Sequence, residues 1–284
     1  MEIEKNKYTR RSFICRSLMY SAVASNINPI PTDIKQPIVV SKISADAKNG
    51  NVLFEEGADI IRPPASLVKL MLMYLVALKI NKKEIKLEDS IKIKRPLYPA
   101  NHSDILLSHV KNYTLAYLMD AVAVISSNTS AIAITECLWG SKEKCIEEMN
   151  LMAKKLKMNS TCYATVSGYP QKSGEDLDRT TARDLMQLAM ECCKMPIIIS
   201  WTSKKKFVFQ DEKIERDNTN KLMNVYLGCD GLKTGYTKAA GYCIVATAKR
   251  SNTRVVSIVL GAEKSSMRFK IATNLLEIAF SEIS

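Results

Sequence analysis

Gly231-Leu232-Lys233-Thr234-Gly235-Tyr236-Thr237-Lys238-Ala239-Ala240-Gly241-Tyr242-Cys243 is the deciding stretch of this chain. Gly231 to Thr234 reads as a strand, the small and polar residues after it as a turn, and Tyr242 to Ala248 as the next strand. Arg254 to Leu260 continues the pattern, Val208 to Gln210 adds a strand upstream, and Ser265 to Phe280 has the apolar spacing of a closing helix. At the other end, Pro37 to Ile43 is rich in β-branched residues. Asn51 to Glu55 follows across Asn49-Gly50, a dipeptide that suits the left-handed backbone of a tight hairpin turn. Strands therefore stand at both ends of the chain.

The middle is different. From Leu87 to about Met195 the apolar residues recur at helical spacing, with helices expected over Thr114 to Ile125, Thr129 to Leu138, Lys142 to Leu156 and Thr181 to Cys193. Upstream, Pro63-Pro64-Ala65 ends an irregular stretch and Ser66 opens a run (Leu67, Leu70, Met71, Tyr74, Leu75, Leu78) with the same period. The simplest architecture is α/β of the α+β kind. The N-terminal hairpin and the C-terminal strands share one mostly antiparallel sheet, flanked by the Ser66 helix and the last helix. That gives a sheet lobe over about residues 36–80 and 205–284, a helical lobe over about 81–204, and a cleft between them.

With 284 residues, 46% of them apolar, the chain has ample material for a buried core. The 41 basic and 29 acidic residues leave a net charge of +12, which favours anionic surroundings. The lysines and arginines are scattered as solvated surface charge is, and no nucleic-acid partner is expected. Eight cysteines without a C-x-x-C pair, and only two histidines, predict neither a metal site nor a disulfide framework. Thr9-Arg10-Arg11-Ser12-Phe13-Ile14, a moderately apolar stretch and Ala22-Val23-Ala24 resemble a twin-arginine export signal over residues 1–24. The expectation is an extracytoplasmic protein whose mature chain has no transmembrane span, held to the membrane only if that segment stays uncleaved. No other run reaches the roughly 18 to 20 apolar residues that a membrane helix needs.

Three short motifs carry candidate chemistry. Ser66-Leu67-Val68-Lys69 puts a hydroxyl and an amine on one helical face, about 5 to 6 Å apart at Cβ. The lysine can deprotonate the serine if burial or a nearby cation keeps it neutral; a serine N-cap followed by an ordinary lysine has the same spelling. Ser126-Ser127-Asn128 lies in a polar turn between two helices. There Ser126 could relay a proton, Asn128 could hold a substrate carbonyl and the Lys69 side chain, and Ser127 is merely the middle residue. In the deciding stretch Lys233 offers a permanent positive charge, Thr234 a hydroxyl, and Gly235 room for the close approach of another backbone. That set suits a peptide ending in a free carboxylate. A phosphate-binding loop is excluded, because Gly228 and Gly231 do not supply G-x-x-x-x-G-K-[ST].

S-x-x-K, S-x-N and K-T-G in this order are the signature set of penicillin-binding proteins and class A β-lactamases. The chain most resembles the low-molecular-mass, serine-type D-alanyl-D-alanine carboxypeptidase family, over roughly Pro37 to Phe280. The match includes the Ala239-Ala240-Gly241 turn, Pro64-Ala65-Ser66-Leu67-Val68-Lys69, Thr181-Ala182-Arg183-Asp184-Leu185, and a segment closing on Ser167-Gly168-Tyr169. The resemblance implies a β-lactamase/transpeptidase-like fold, no cofactor, stem peptides of peptidoglycan as substrate and β-lactams as covalent inhibitors. It implies Ser66, Lys69 and Ser126 as catalytic residues and Asn128, Lys233, Thr234, Gly235 and Tyr236 as substrate-binding ones, with the Ser66 and Tyr236 N–H groups as oxyanion hole. Thr129 and Ser130 stand where the family often has Asp and Ala, a difference that bears on fine substrate geometry. With the last residue at Ser284, the β-rich second domain and C-terminal amphipathic anchor of many relatives are not expected, nor membrane attachment by that route. Alternatives are a D,D-endopeptidase, a class A-like β-lactamase, or a non-enzymatic wall-binding or β-lactam-sensing module. For the β-lactamase the usual E-x-x-L-N segment is missing, and Glu175-Asp176-Leu177-Asp178 reads instead as a solvated loop.

Overall fold

The computed structural model describes residues 40–99, 104–169, 178–210 and 214–283. The expected export segment, the linker after it and the first residues of the expected Pro37 to Ile43 strand lie outside these. Strand β1 (Ser41–Asp46) turns through Gly50, at φ +80°, into β2 (Val52–Glu56). A 3-10 turn over Ala65–Val68 runs into helix α1 (Lys69–Asn81). Next come the short strands β3 (Ser90–Ile91) and β4 (Tyr113–Thr114), which pair with each other. Helices α2 (Leu115–Val124), α3 (Asn128–Leu138), α4 (Lys142–Lys155), α5 (Ala182–Cys193) and α6 (Pro196–Thr202) follow. Strand β5 (Lys206–Val208) pairs with β6 (Glu215–Asp217), ahead of a single turn of helix, α7 (Leu222–Val225). The chain ends with β7 (Cys229–Thr237), β8 (Gly241–Arg250), β9 (Thr253–Ala262) and α8 (Ser265–Ile283).

The main sheet has the order β2-β1-β9-β8-β7 and is antiparallel throughout, so the first and last strands of the described residues meet where β1 pairs with β9. This is the expected mixed fold. Successive strand residues point to opposite faces, and both faces here are apolar. Ile244, Ala246 and Ala248 of β8, with Val255 and Val259 of β9, pack with Phe269, Ala272, Leu276 and Phe280 of α8. The alternate residues Val245, Val256, Ile258 and Leu260, with Ile43 and Ala45 of β1, belong to the larger core that includes α1, α2 and α5.

Helix α1 lies deep in that core. Every residue from Lys69 to Ala77 is buried, as expected of a helix that is apolar nearly all round rather than along one stripe. Its only charged group in that span, the Lys69 ammonium, has no direct route to water.

Differences from the sequence reading are local. The upstream strand is Lys206–Val208 rather than Val208 to Gln210, and its partner, Glu215-Arg216-Asp217, has no apolar alternation to announce it. The deciding stretch is strand from Cys229 through Thr237, longer than Gly231 to Thr234, because pairing with β8 continues to the turn. The other expected helices start and end within about two residues of the predicted positions, apart from α8, which runs three residues further.

Of the seven described cysteines, Cys145, Cys192 and Cys243 are buried. Burial pushes the Cys145 thiol up to about 12 and that of Cys243 up to about 11, so neither ionises at neutral pH. Treating the native protein with iodoacetamide at pH 8 should leave these three unmodified by mass spectrometry, with modification appearing only in denaturant; a native adduct or a disulfide at any of them would contradict the packing.

Candidate active site

The Ser66 turn is gripped from both sides. Ala65, just before it, is held at φ +50°, in the left-handed region that side chains disfavour. A Cβ on Gly168, itself at φ +75°, would fall 1.8 Å from the Ala65 carbonyl oxygen. On the other side, a Cβ on Gly235 would meet the Pro64 carbonyl oxygen and the Ser66 nitrogen, both at 3.0 Å. The backbone that Gly235 admits is thus the chain's own. Ser66 does not cap a helix, for no side chain caps this turn. Its Oγ instead lies 3.0 Å from Lys69 Nζ.

Lys69 is 0% exposed, and its Nζ has two further acceptors, Asn128 Oδ1 and the Ser167 carbonyl oxygen, each at 2.7 Å. Burial drives its pKa down to about 7, while Asp104 and Asp178 pull the other way. The arrangement suits either protonation state. An ammonium donates to all three oxygens, whereas a neutral amine donates to Asn128 and Ser167 and turns its lone pair to the Ser66 hydroxyl.

The Ser126-Ser127-Asn128 turn joins α2 to α3. Ser126 is half-buried at φ +62°, and its hydroxyl is not among the partners of Lys69. Ser127 is more than the middle residue. Its buried hydroxyl caps α3 by accepting from the Ser130 N–H at 3.0 Å and donates to Asp104 Oδ1 at 2.6 Å. Capping falls to Ser127, which leaves the Asn128 amide free to face Lys69. The Thr129 hydroxyl lies 2.9 Å from Asp104 Oδ1, and Ser130 Oγ lies 2.9 Å from Ser127 Oγ, so both residues serve the turn.

Strand β7 is the sheet edge on this side. Lys233 and Thr234 are buried, and the Lys233 ammonium donates to the Thr234 carbonyl at 2.9 Å. Burial, then the nearby Lys69 and Arg268 cations, push the Lys233 pKa well below the ordinary lysine value, so an anion bound beside it would favour its charged form. Arg268, on α8, donates to the Gly235 and Cys243 carbonyls at 2.9 and 3.2 Å and ties β7 to β8. Its own pKa falls only to about 10, which keeps it charged at neutral pH. Tyr236, 54% exposed, stacks on Tyr242 with ring centroids 4.2 Å apart.

Two contributors had no motif to reveal them. The Ser167 carbonyl is a backbone group. Asp178, assigned by sequence to a solvated loop, is buried with its carboxylate accepting from Ala164 N, Thr165 N and the Thr165 hydroxyl at 2.7 to 2.9 Å. Residues 175–177 lie outside the described ones. Among the described residues no group of three or more His, Cys, Asp or Glu is placed to hold a metal ion. No described helix is long and apolar enough to cross a membrane.

A buried lysine beside a serine, an S-x-N turn and a K-T-G edge strand meet at one point, and comparison with known proteins agrees. The family model for D-alanyl-D-alanine carboxypeptidases, peptidase family S11, matches residues 33–264. The chain belongs to this family. Among family S11 relatives, the D-alanyl-D-alanine carboxypeptidase DacF of Bacillus subtilis is 30% identical over 245 residues, 85% of this chain and 62% of the relative. DacC of Escherichia coli is 33% identical over 246 residues, 84% of this chain and 60% of the relative. The chain thus spans about three fifths of these relatives' length. Penicillin-binding protein D2 of Listeria monocytogenes, solved with cefotaxime bound, superposes with a TM-score of 0.74 at 31% identity, covering 84% of this chain and 96% of that one. The fold is therefore that of the penicillin-binding proteins.

The glycine grip makes a direct prediction for this S11 chain. Gly168→Ala places a methyl into the Ala65 carbonyl at a left-handed backbone, and should cost about 2 to 4 kcal/mol or displace the Ser66 turn. Thermal unfolding together with penicillin labelling checks this; a variant with unchanged melting temperature and unchanged labelling would refute it.

Proposed function

We propose that this protein is a serine-type D-alanyl-D-alanine carboxypeptidase that removes the terminal D-alanine of peptidoglycan stem peptides through an acyl-enzyme on Ser66. The observation that carries the reading is the Lys69 amine, 3.0 Å from Ser66 Oγ with its pKa brought to about 7. A base that is half neutral at working pH can accept the hydroxyl proton as Oγ attacks the carbonyl between the two D-alanines. Ser66 and Tyr236 N–H groups would stabilise the oxyanion, an interaction worth about 3 kcal/mol in serine hydrolases. Ser126 would pass a proton to the leaving amine, Asn128 would hold the stem-peptide backbone, and Lys233 with Thr234 would bind the terminal carboxylate. A carboxylate there would favour the charged form of Lys233, which burial disfavours. Water then attacks the ester and frees Ser66.

Residues 1–24 are taken as the export segment and 25–284 as the catalytic domain, with sheet portions 36–80 and 205–284 closing on the helical portion 81–204. The net charge of +12 suits a wall rich in anionic groups. β-Lactams, bound in the Listeria relative, would acylate Ser66 in the same way.

Fluorescent penicillin applied to the parent and to Ser66→Ala tests the nucleophile. Covalent label is expected on the parent alone, with D-alanine released from a stem pentapeptide by the parent alone; an unlabelled, folded parent refutes the reading. Rapid turnover of the penicillin would point to a β-lactamase instead.

The second-order acylation rate reports the free enzyme. Lys69 must be neutral to act, so the rate should rise with pH through about 7 and fall about tenfold for each unit below that. An acid limb near the ordinary lysine value would exclude Lys69 as the base.

A further inference from the structure

Lys69 owes its geometry to two oxygens besides Ser66 Oγ, and each of these is held by a different buried carboxylate. Asn128 opens α3, and Asp104 binds that opening: Oδ2 accepts from the Asn128 and Thr129 N–H groups at 3.0 and 3.2 Å, Oδ1 from the Ser127 hydroxyl at 2.6 Å. The Ser167 carbonyl closes a loop that Asp178 binds. Its Oδ2 accepts from the Thr165 hydroxyl at 2.7 Å, and Thr165 Oγ1 in turn accepts from the Gly168 N–H at 2.7 Å. Both carboxylates are less than a tenth exposed. Neither forms an ion pair with a described residue. Each spends its oxygens on the segment that presents an acceptor to Lys69.

We infer that Asp104 and Asp178 are paired positioning residues for Lys69, one fixing Asn128 Oδ1 and the other the Ser167 carbonyl, so that the amine's lone pair is left for Ser66. This rests on the assignment of Lys69 as base. A neutral amine has two N–H donors, and a rotating amine would point its lone pair at Ser66 only part of the time. Two fixed acceptors remove that freedom. The carboxylates also act on Lys69 at a distance, raising its pKa against the larger effect of burial. From β7 Lys233 opposes them, with Arg268 of α8 behind it. Beside Asp178, burial keeps the Tyr163 phenol neutral.

The hold and the charge can be separated. Asp178→Asn keeps an oxygen for the Ala164 and Thr165 N–H groups but removes the charge. Thr165→Val keeps the charge but cuts the tie to Gly168. Acylation by fluorescent penicillin, followed from pH 5 to 9 on the parent, on both variants and on Asp104→Asn, reads the two effects apart, with melting temperatures recorded beside them. Asp178→Asn and Asp104→Asn should move the acid limb to lower pH by about half a unit to one unit, because a lost negative charge makes Lys69 easier to deprotonate. Thr165→Val should lower the rate about tenfold at every pH without moving the limb. If Asp178→Asn folds and its limb stays with the parent's, or if Thr165→Val acylates at the parent's rate, the inference is wrong. Should Asp104→Asn fail to fold, those two variants still decide it. A parent with no label on Ser66 is a separate result, which overturns the nucleophile assignment and this inference with it.

Discussion

A lysine side chain fully buried at the head of an apolar helical run, Leu70 to Ala77, is the constraint on which the rest of this structure depends. Removing a charge from water costs several kcal/mol unless partners replace the water or the proton leaves. Lys69 does some of each: three oxygens surround its Nζ, and its pKa is lowered to the point where neutral and charged forms coexist. Both responses need material from elsewhere in the chain. That is why α1 runs through the centre of the core, why the S-x-N turn is pinned by a carboxylate from outside itself, and why the 164–168 loop folds back onto the Ser66 turn.

The same region holds a second unfavourable arrangement. Lys69 and Arg268 are buried close enough to Lys233 to lower its proton affinity, and none of the three forms an ion pair among the described residues. Folding alone gains little from such clustering. A bound anion would relieve it, so electrostatic free energy would be held for a ligand. Gly235 serves neighbouring needs: lacking a side chain, it lets the Ser66 turn approach, while its carbonyl receives the Arg268 guanidinium.

Much of this was legible in the sequence, for physical reasons that differ from element to element. Lys233 and Gly235 lie on one strand, and Ser66 lies in the turn that runs straight into the helix of Lys69, so short fixed spacing translates into fixed geometry. Strands β8 and β9 announced themselves because both their faces are apolar. Asp104, Asp178 and Ser127 were opaque because their partners are backbone N–H groups or hydroxyls, which leave no spaced pattern of residue types. Asp178 was further disguised by Glu175 and Asp176, whose company suggests solvent. The left-handed backbones at Ala65 and Ser126 were invisible because neither residue type prefers that conformation. The β5–β6 pair escaped because a strand of Glu215, Arg216 and Asp217 has no buried face.

The two glycines that grip the Ser66 turn have a consequence for when the site comes into being. Gly168 and Gly235 belong to segments far apart in the chain, and the acceptors of Lys69 lie 59 and 98 residues beyond it. No local fragment can assemble the nucleophile; its geometry waits for closure of the longest loops, which is the slow part of folding in proteins dominated by distant contacts. An intermediate with α1 already helical would carry Ser66 and Lys69 side by side and still be inert. On the proposed reading, covalent capture at Ser66 would therefore double as a chemical clock, marking the moment at which the last of these distant segments has docked.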